Sequence, residues 1–212
     1  MSGILRCAVI DCRDVDAASY GTILSHLSDD RRERAESFSA FSDKVMSAVA
    51  GLCMEGLAES LDTNVLKLSN GKPMFGRDDL HLSVSHSGSF VAIAWSDSPV
   101  GVDVQKVIPM GNIARRILSP KEITDMGSMD DTDLVKVWTR KESYVKMTGE
   151  GMSRPFDSFD EDILDPGYSF FTYGIEEDMV LTVCCRSDTV PKTITVRVTS
   201  PDDIIRAVSW NS

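Results

Sequence analysis

Histidine is scarce in this chain, with only His26, His81 and His86 among 212 residues, and aromatic residues make up 7%. The five cysteines include no C-x-x-C pair, and Cys184 stands beside Cys185 inside an apolar run. A zinc centre of the Cys/His type therefore has little to draw on, and an odd count with adjacent thiols does not suit a secreted disulfide framework. Reduced, mostly buried thiols are expected, and any metal should be a hard ion held by oxygen. Positive charge is also in short supply: Lys and Arg total 22 against 33 Asp and Glu, a net −11. That balance argues against duplex nucleic acid or an anionic membrane as the general partner. An anionic ligand would need a local basic patch. The first 30 residues lack a basic start followed by an apolar stretch, and the longest apolar-leaning run without charge, Val45 to Met54, is too short to span a bilayer. A soluble cytoplasmic protein is expected.

What is present is ample apolar material, 42% of the chain, enough for one domain or two small ones. The negative charge is shared almost evenly on either side of residue 100, and no low-complexity linker intervenes. Residues 4 to 12 read as a strand. Phe41, Val45, Val49, Leu52 and Leu57 recur at helical spacing over 41 to 60, with Ser42 and Asp43 as cap candidates. From Leu80 the period changes to two, and His86-Ser87-Gly88-Ser89 supplies turn chemistry before Phe90 to Trp95, which predicts a β-hairpin. In the next strand Val100, Val102 and Val104 share one face, while Gly101, Asp103 and Gln105 share the other. A helix is predicted from about Asp131 to Thr148 with Gly149 as its stop, followed by three strands at Tyr168 to Tyr173, Met179 to Cys185 and Thr193 to Val198. The reading is an α+β fold of two halves, 1–100 and 101–212.

Several residues could carry chemistry. Asp103 lies within a Val-rich strand, where a carboxylate requires a metal, a cation or solvent to offset its desolvation; the competing role is a solvent-facing residue near a strand end. Glu142 falls four residues after Trp138 and four before Lys146, so it could be a ligand or half of a surface i,i+4 ion pair. Glu122 could act as a general base, yet Ser119-Pro120-Lys121-Glu122 equally fits a capping box with proline at the first helical position. Arg31, Arg32 and Arg34 form a basic cluster suited to phosphate, although such clusters are commonly solvated helix faces. Lys72 and the Ser85-His86 pair could likewise meet phosphate oxygens. The acids from Asp125 to Asp133 and from Asp157 to Asp165 read as solvated loops.

Taken in order, G-K-P (71–73), S-V-S-H-S (83–87), G-V-D-V-Q (101–105) and W-T-R-K-E-S-Y-V-K (138–146), followed by G-E-G (149–151), resemble the motif series of the phosphopantetheinyl transferases, most closely their Sfp-like branch. The resemblance covers residues 28 to 160 well. It implies two pseudo-twofold-related α+β subdomains, the second carrying the metal-binding motifs, with coenzyme A and Mg²⁺ in the cleft between them. It further implies a monomer that moves phosphopantetheine from coenzyme A to a serine of an apo acyl or peptidyl carrier protein, releasing adenosine 3′,5′-bisphosphate.

By position the resemblance makes Asp103, Glu142 and Gln105 metal ligands. Lys146 and Lys72 become phosphate contacts, and Ser85 and His86 a pair meeting coenzyme A phosphates. Arg31 and Arg34 fall near the ribose 3′-phosphate, and Glu122 takes the place of a proposed base. In this picture Glu142 and Lys146 also belong to the catalytic set. Two positions depart from the pattern. Gln105 replaces a second acidic ligand, so an amide oxygen or water must serve instead, and Met46 stands where a basic residue is expected. Gln105 also motivates an alternative, a non-catalytic module binding coenzyme A or a carrier protein. A Mg²⁺-dependent hydrolase of coenzyme A or a nucleotide is a third possibility, although no hydrolase motif recommends it.

Overall fold

The computed structural model describes residues 4–67, 71–151, 154–160, 167–176, 178–187 and 196–209. The first strand, β1 (Leu5–Asp11), leads into α1 (Ala17–Ser25), whose N-terminus is capped by Asp16 through the Ser19 amide at 2.8 Å. Then follow α2 (Asp29–Glu36) and the long α3 (Phe41–Ser60). The cap of α3 differs from expectation: its N-cap is Ala40 without a side-chain bond, and Ser42 and Asp43 already lie in the first turn. There Asp43 still favours the helix through its charge.

Two short strands, β2 (Val65–Lys67) and β3 (Pro73–Phe75), pair with each other. The hairpin forms as β4 (His81–Ser87) and β5 (Phe90–Ser96). Ser87 pairs with Phe90, so the turn is only Gly88-Ser89, and His86 and Ser87 belong to the strand instead. After β6 (Val100–Lys106) come α4 (Gly111–Ile117), α5 (Pro120–Asp125) and α6 (Asp131–Thr148). The chain closes with β7 (Tyr168–Ile175), β8 (Met179–Arg186), β9 (Val196–Thr199) and α7 (Pro201–Ser209).

The acids predicted as solvated near the start of α6 are instead used. Asp130 caps the helix by accepting from the Asp133 amide at 2.8 Å, and Asp131 accepts from the Met110 amide at 2.9 Å. Asp160 is buried and accepts from Ser119 Oγ; Glu161 to Asp165 lie outside the described residues. At the far end of α6, Gly149 adopts φ +79°, the left-handed conformation that lets a helix stop there.

Four layers result. Of the two larger sheets, one has the order β4-β5-β1-β9 and the other β6-β8-β7. The face of the first sheet carrying Ile10, Leu82, Val91 and Ile93 packs on α3. Its opposite face, with Val9, Ala92 and Ala94, meets Val100, Val102 and Val104 of β6 and Leu181 and Val183 of β8. The outer face of the second sheet is covered by α6, where Thr139 and Thr182 share a hydrogen bond at 2.9 Å. The third strand predicted in the second half goes elsewhere: β9 pairs with β1 in parallel, Cys7 opposite Val196, and Thr193 to Thr195 lie outside the described residues. Ile204 and Ile205 of α7 join the α3 core.

Candidate active site

Strands β4 and β6 belong to different sheets, and serine side chains tie them together. Alternation aims Ser83, Ser85 and Ser87 the same way. Ser83 Oγ accepts from the Val102 amide at 3.0 Å, Ser85 Oγ donates to Asp103 Oδ1 at 2.7 Å, and Ser87 Oγ accepts from the Lys106 amide at 3.0 Å while donating to the Gln105 amide oxygen. Val84 and His86 must face the other side, toward α3. The structure therefore separates the Ser85-His86 pair: Ser85 meets Asp103, and His86 lines a hollow with Arg31 and Arg34.

Asp103 is 1% exposed, which removes the solvent-facing alternative. Its charge is met at Oδ1 by Lys146 Nζ at 2.6 Å, and Gln105 donates to Oδ2 at 3.3 Å. Lys146 also reaches Ser85 Oγ at 2.9 Å. Its cation is thus committed to Asp103 instead of to a surface pair with Glu142. Burial, and then the negative charge of Asp103, hold the Glu142 carboxyl above its ordinary pKa, opposed by Lys146 and by hydrogen bonding from Trp138. Two carboxylates in mutual repulsion supply oxygen donors of the kind that Mg²⁺ favours, while the Gln105 amide turns its nitrogen to Asp103 and its oxygen to Ser87. Among the described residues no three His, Cys, Asp or Glu converge on a metal position, so an ion held here would draw its remaining ligands from phosphate and water. With that division the residues fit the ion.

The approach of α6 depends on Gly101. A Cβ built there would lie 1.9 Å from the Ser143 carbonyl oxygen and 2.7 Å from the Met147 amide, so the absence of a side chain lets the helix lie directly on β6. This brings Glu142 and Lys146 over Asp103.

Lys141, next to Glu142, points into the protein. It is 2% exposed, and its ammonium donates to the Ile117 carbonyl at 2.8 Å, the Phe156 carbonyl at 2.9 Å and Glu122 Oε2 at 2.5 Å. Glu122 also accepts from the Ser119 amide at 2.7 Å and completes the capping box of α5. Neither of these bonds reaches Asp103, Glu142 or Lys146.

Lys72 donates to the Lys146 carbonyl at 2.5 Å, near the electronegative end of α6. Burial first, and then the Lys146 charge, lower its pKa. Lys72 and Lys146 line a hollow of about 540 Å³ with Glu150. A second hollow, of about 360 Å³, shares Gly71, Pro73 and Val84 with it and is lined by Arg31, Arg34, His86, Ser47 and Lys67. Arg32 faces away and donates to the Leu24 and Leu27 carbonyls. Met46 is buried in the α3 core, so its neighbour Ser47 faces the cleft. Sequence reasoning missed Lys67, Lys141, Ser83 and Ser87; the period-two serines were the one available signal.

Lys146 thus links the buried Asp103 carboxylate to two adjoining hollows whose linings carry Lys72, Arg31, Arg34 and Lys67 beside Glu150 and Asp43, a setting in which an anion could be held. Comparison with known proteins leads the same way. Residues 99–184 match the 4′-phosphopantetheinyl transferase superfamily. The chain is 27% identical over 197 residues to the 4′-phosphopantetheinyl transferase Sfp of Bacillus subtilis, covering 82% of this chain and 88% of that one. It is 26% identical over 196 residues to another B. subtilis 4′-phosphopantetheinyl transferase, covering 81% and 88%. With psf-1 of Bacillus pumilus it shares 30% identity over 135 residues, 55% of this chain and 58% of that one. Motif order and these relatives point the same way: the chain is similar to the 4′-phosphopantetheinyl transferase superfamily, whose model its residues 99–184 match.

Proposed function

We propose that this protein transfers the 4′-phosphopantetheine of coenzyme A to a serine of an apo acyl or peptidyl carrier protein and releases adenosine 3′,5′-bisphosphate. The observation that supports the reading is the buried Asp103 carboxylate, with Glu142 near it and Lys146 bound to one of its oxygens while also lining a hollow shared with Lys72. Asp103 and Glu142 would hold Mg²⁺, with Gln105 contributing its amide oxygen or a water. The ion when bound would neutralise charge developing on the pyrophosphate.

Lys146 and Lys72 would bind the phosphates next to the metal, while Arg31, Arg34 and His86 would bind the nucleotide end. The carrier serine hydroxyl attacks the β-phosphate, the bond to the departing nucleotide breaks, and the proton leaves the serine oxygen. Glu122 accepts its hydrogen bonds on Oε2, so as a base it would have Oε1 to offer, directly or through water. Exposed Ile113 and Ile123, on α4 and α5, offer apolar contact to an acidic carrier that broad charge attraction would not hold.

Burial pushes the thiols of Cys7, Cys12 and Cys185 up to about 12, and all five cysteines are free. This supports a reduced, cytoplasmic setting. No helix among the described residues is long and apolar enough to cross a membrane. We take the enzyme to be a monomer of two halves divided near residue 100, with β9 and α7 returning to the first.

The test is intact-mass analysis of several apo carrier proteins incubated with this protein, coenzyme A and Mg²⁺, with an EDTA control. A metal-dependent gain of one phosphopantetheine on serine is expected. No gain on any carrier, despite coenzyme A binding, would favour the non-catalytic reading motivated by Gln105.

A further inference from the structure

Two roles are open to Gln105, a metal ligand through its amide oxygen or a bystander whose place on the ion is taken by water. Its hydrogen bonds distinguish them. Ser87 closes β4 opposite Phe90, and its Oγ accepts from the Lys106 amide at 3.0 Å. The same hydroxyl has one hydrogen to give, and gives it to Gln105 Oε1 at 3.3 Å. The Gln105 nitrogen is thereby aimed back along the strand face and donates to Asp103 Oδ2 at 3.3 Å. The reverse orientation would set the amide oxygen against a carboxylate oxygen with no hydrogen between them.

Asp103 can receive this donor and still bind an ion. A carboxylate offers about four lone pairs. Lys146 Nζ at 2.6 Å and Ser85 Oγ at 2.7 Å take the two on Oδ1, and Gln105 takes one on Oδ2, which leaves one on Oδ2. The side that Gln105 turns to Asp103 is its N–H side, and an amide nitrogen carrying its hydrogens is no ligand for a hard cation.

We propose that Ser87 is a positioning residue: it holds the Gln105 amide with its nitrogen on Asp103, so that Gln105 steadies that carboxylate and a divalent ion on Asp103 and Glu142 takes water in place of the amide oxygen. The inference rests on the reading of Asp103 and Glu142 as metal ligands. Ser83 is the natural comparison. It lies four residues earlier on the same face of β4 and makes the same kind of bond between the sheets, its Oγ accepting from the Val102 amide at 3.0 Å, yet among the described residues it has no bond to Gln105.

Mn²⁺ shares the octahedral oxygen preference of Mg²⁺, and the waters it retains on the full chain can be counted by electron–nuclear resonance in isotopically labelled water, without coenzyme A, carrier protein or turnover. Gln105→Glu should remove one water relative to the wild type, since a carboxylate at that place can ligate. Ser87→Ala should also remove one, because the released amide can turn its oxygen to the ion. Ser87→Thr, which keeps the hydroxyl, and Ser83→Ala should match the wild type. Equal counts in the wild type and Gln105→Glu would overturn the orientation assigned to the amide, and this comparison leaves Ser87 itself untouched. A count in Ser87→Ala equal to that of the wild type, or the same loss in Ser83→Ala, would overturn the role of Ser87 while leaving the two carboxylate ligands intact. If the wild type bound no Mn²⁺, the metal reading and this inference would fail together.

Discussion

Lys146 Nζ lies 2.6 Å from Asp103 Oδ1, joining the last turns of α6 to the middle of β6 across 43 residues. A buried carboxylate is thus already paired with a cation that lines the Lys72 hollow. Replacing Asp103 by Asn should keep the packing but remove the charge that orders both Lys146 and an incoming metal. Turnover should fall by about 10²-fold or more, the scale on which lost electrostatic stabilisation acts. Steady-state rates at several Mg²⁺ concentrations are the check; full turnover with unchanged Mg²⁺ dependence in Asp103→Asn or Glu142→Ala would end the metal assignment.

Gly101→Ala should disturb both fold and site, because the added carbon meets the Ser143 carbonyl at 1.9 Å and a backbone cannot step aside as a side chain can. A loss of roughly 1–3 kcal/mol is expected for such overpacking, with lowered activity as α6 is pushed from β6. Gly127→Ala, whose new carbon meets nothing within 4 Å, is the control. Equal melting temperatures for the two variants would contradict the tight contact.

The Lys141–Glu122 pair should behave as a buried ion pair. Glu122→Gln preserves the capping-box residue type but leaves a buried ammonium short of its counter-charge, which should cost about 3 kcal/mol. Lys141→Met combined with Glu122→Gln should recover a good part of that loss. A double-mutant cycle by urea unfolding measures the coupling. Should Glu122→Gln remain fully stable yet lose turnover, Glu122 would be acting as the base and not as a brace.

Stability should also fall as pH is lowered through about 6.5, the ordinary histidine value. Burial first, then the charge of Lys72, lower the His81 pKa in the folded protein, with Asp97 opposing. Below the unfolded value the unfolded chain takes up a proton that the folded one resists, so acid favours unfolding. Chemical denaturation from pH 7.5 to 5.5 should show a shallower slope for His81→Gln than for the wild type; parallel slopes would refute the contribution.

Local signals carried much of this structure. The period of α6 and its Gly149 stop were legible, as were the valine alternation of β6 and the hairpin of β4 and β5. The grouping of Asp103, Glu142 and Lys146 was implied by the resemblance of their motifs to a known family and not by spacing, which left a surface Glu142–Lys146 pair equally open. What was not legible depends on distant partners. That His86 parts from Ser85 follows from the two-residue turn, which sequence alone had drawn longer. Lys67 carries no pattern in its three-residue strand and gains meaning only when α2 is brought beside it. The choice of β9 for β1 cannot be read from either strand, since the short Val196–Thr199 segment alternates Val with Arg197 and Thr199 and would suit an edge of either sheet.

The parallel pairing of β9 with β1 has a consequence for dissection of the molecule. A fragment ending near residue 100 would expose one whole edge of β1, with its row of unpaired amides and carbonyls, and would uncover the part of the α3 core that Ile204 and Ile205 now seal. Such a fragment should recruit a second strand from solution and aggregate. Supplying the complementary fragment in trans should rescue it, because the partner arrives already carrying the missing edge.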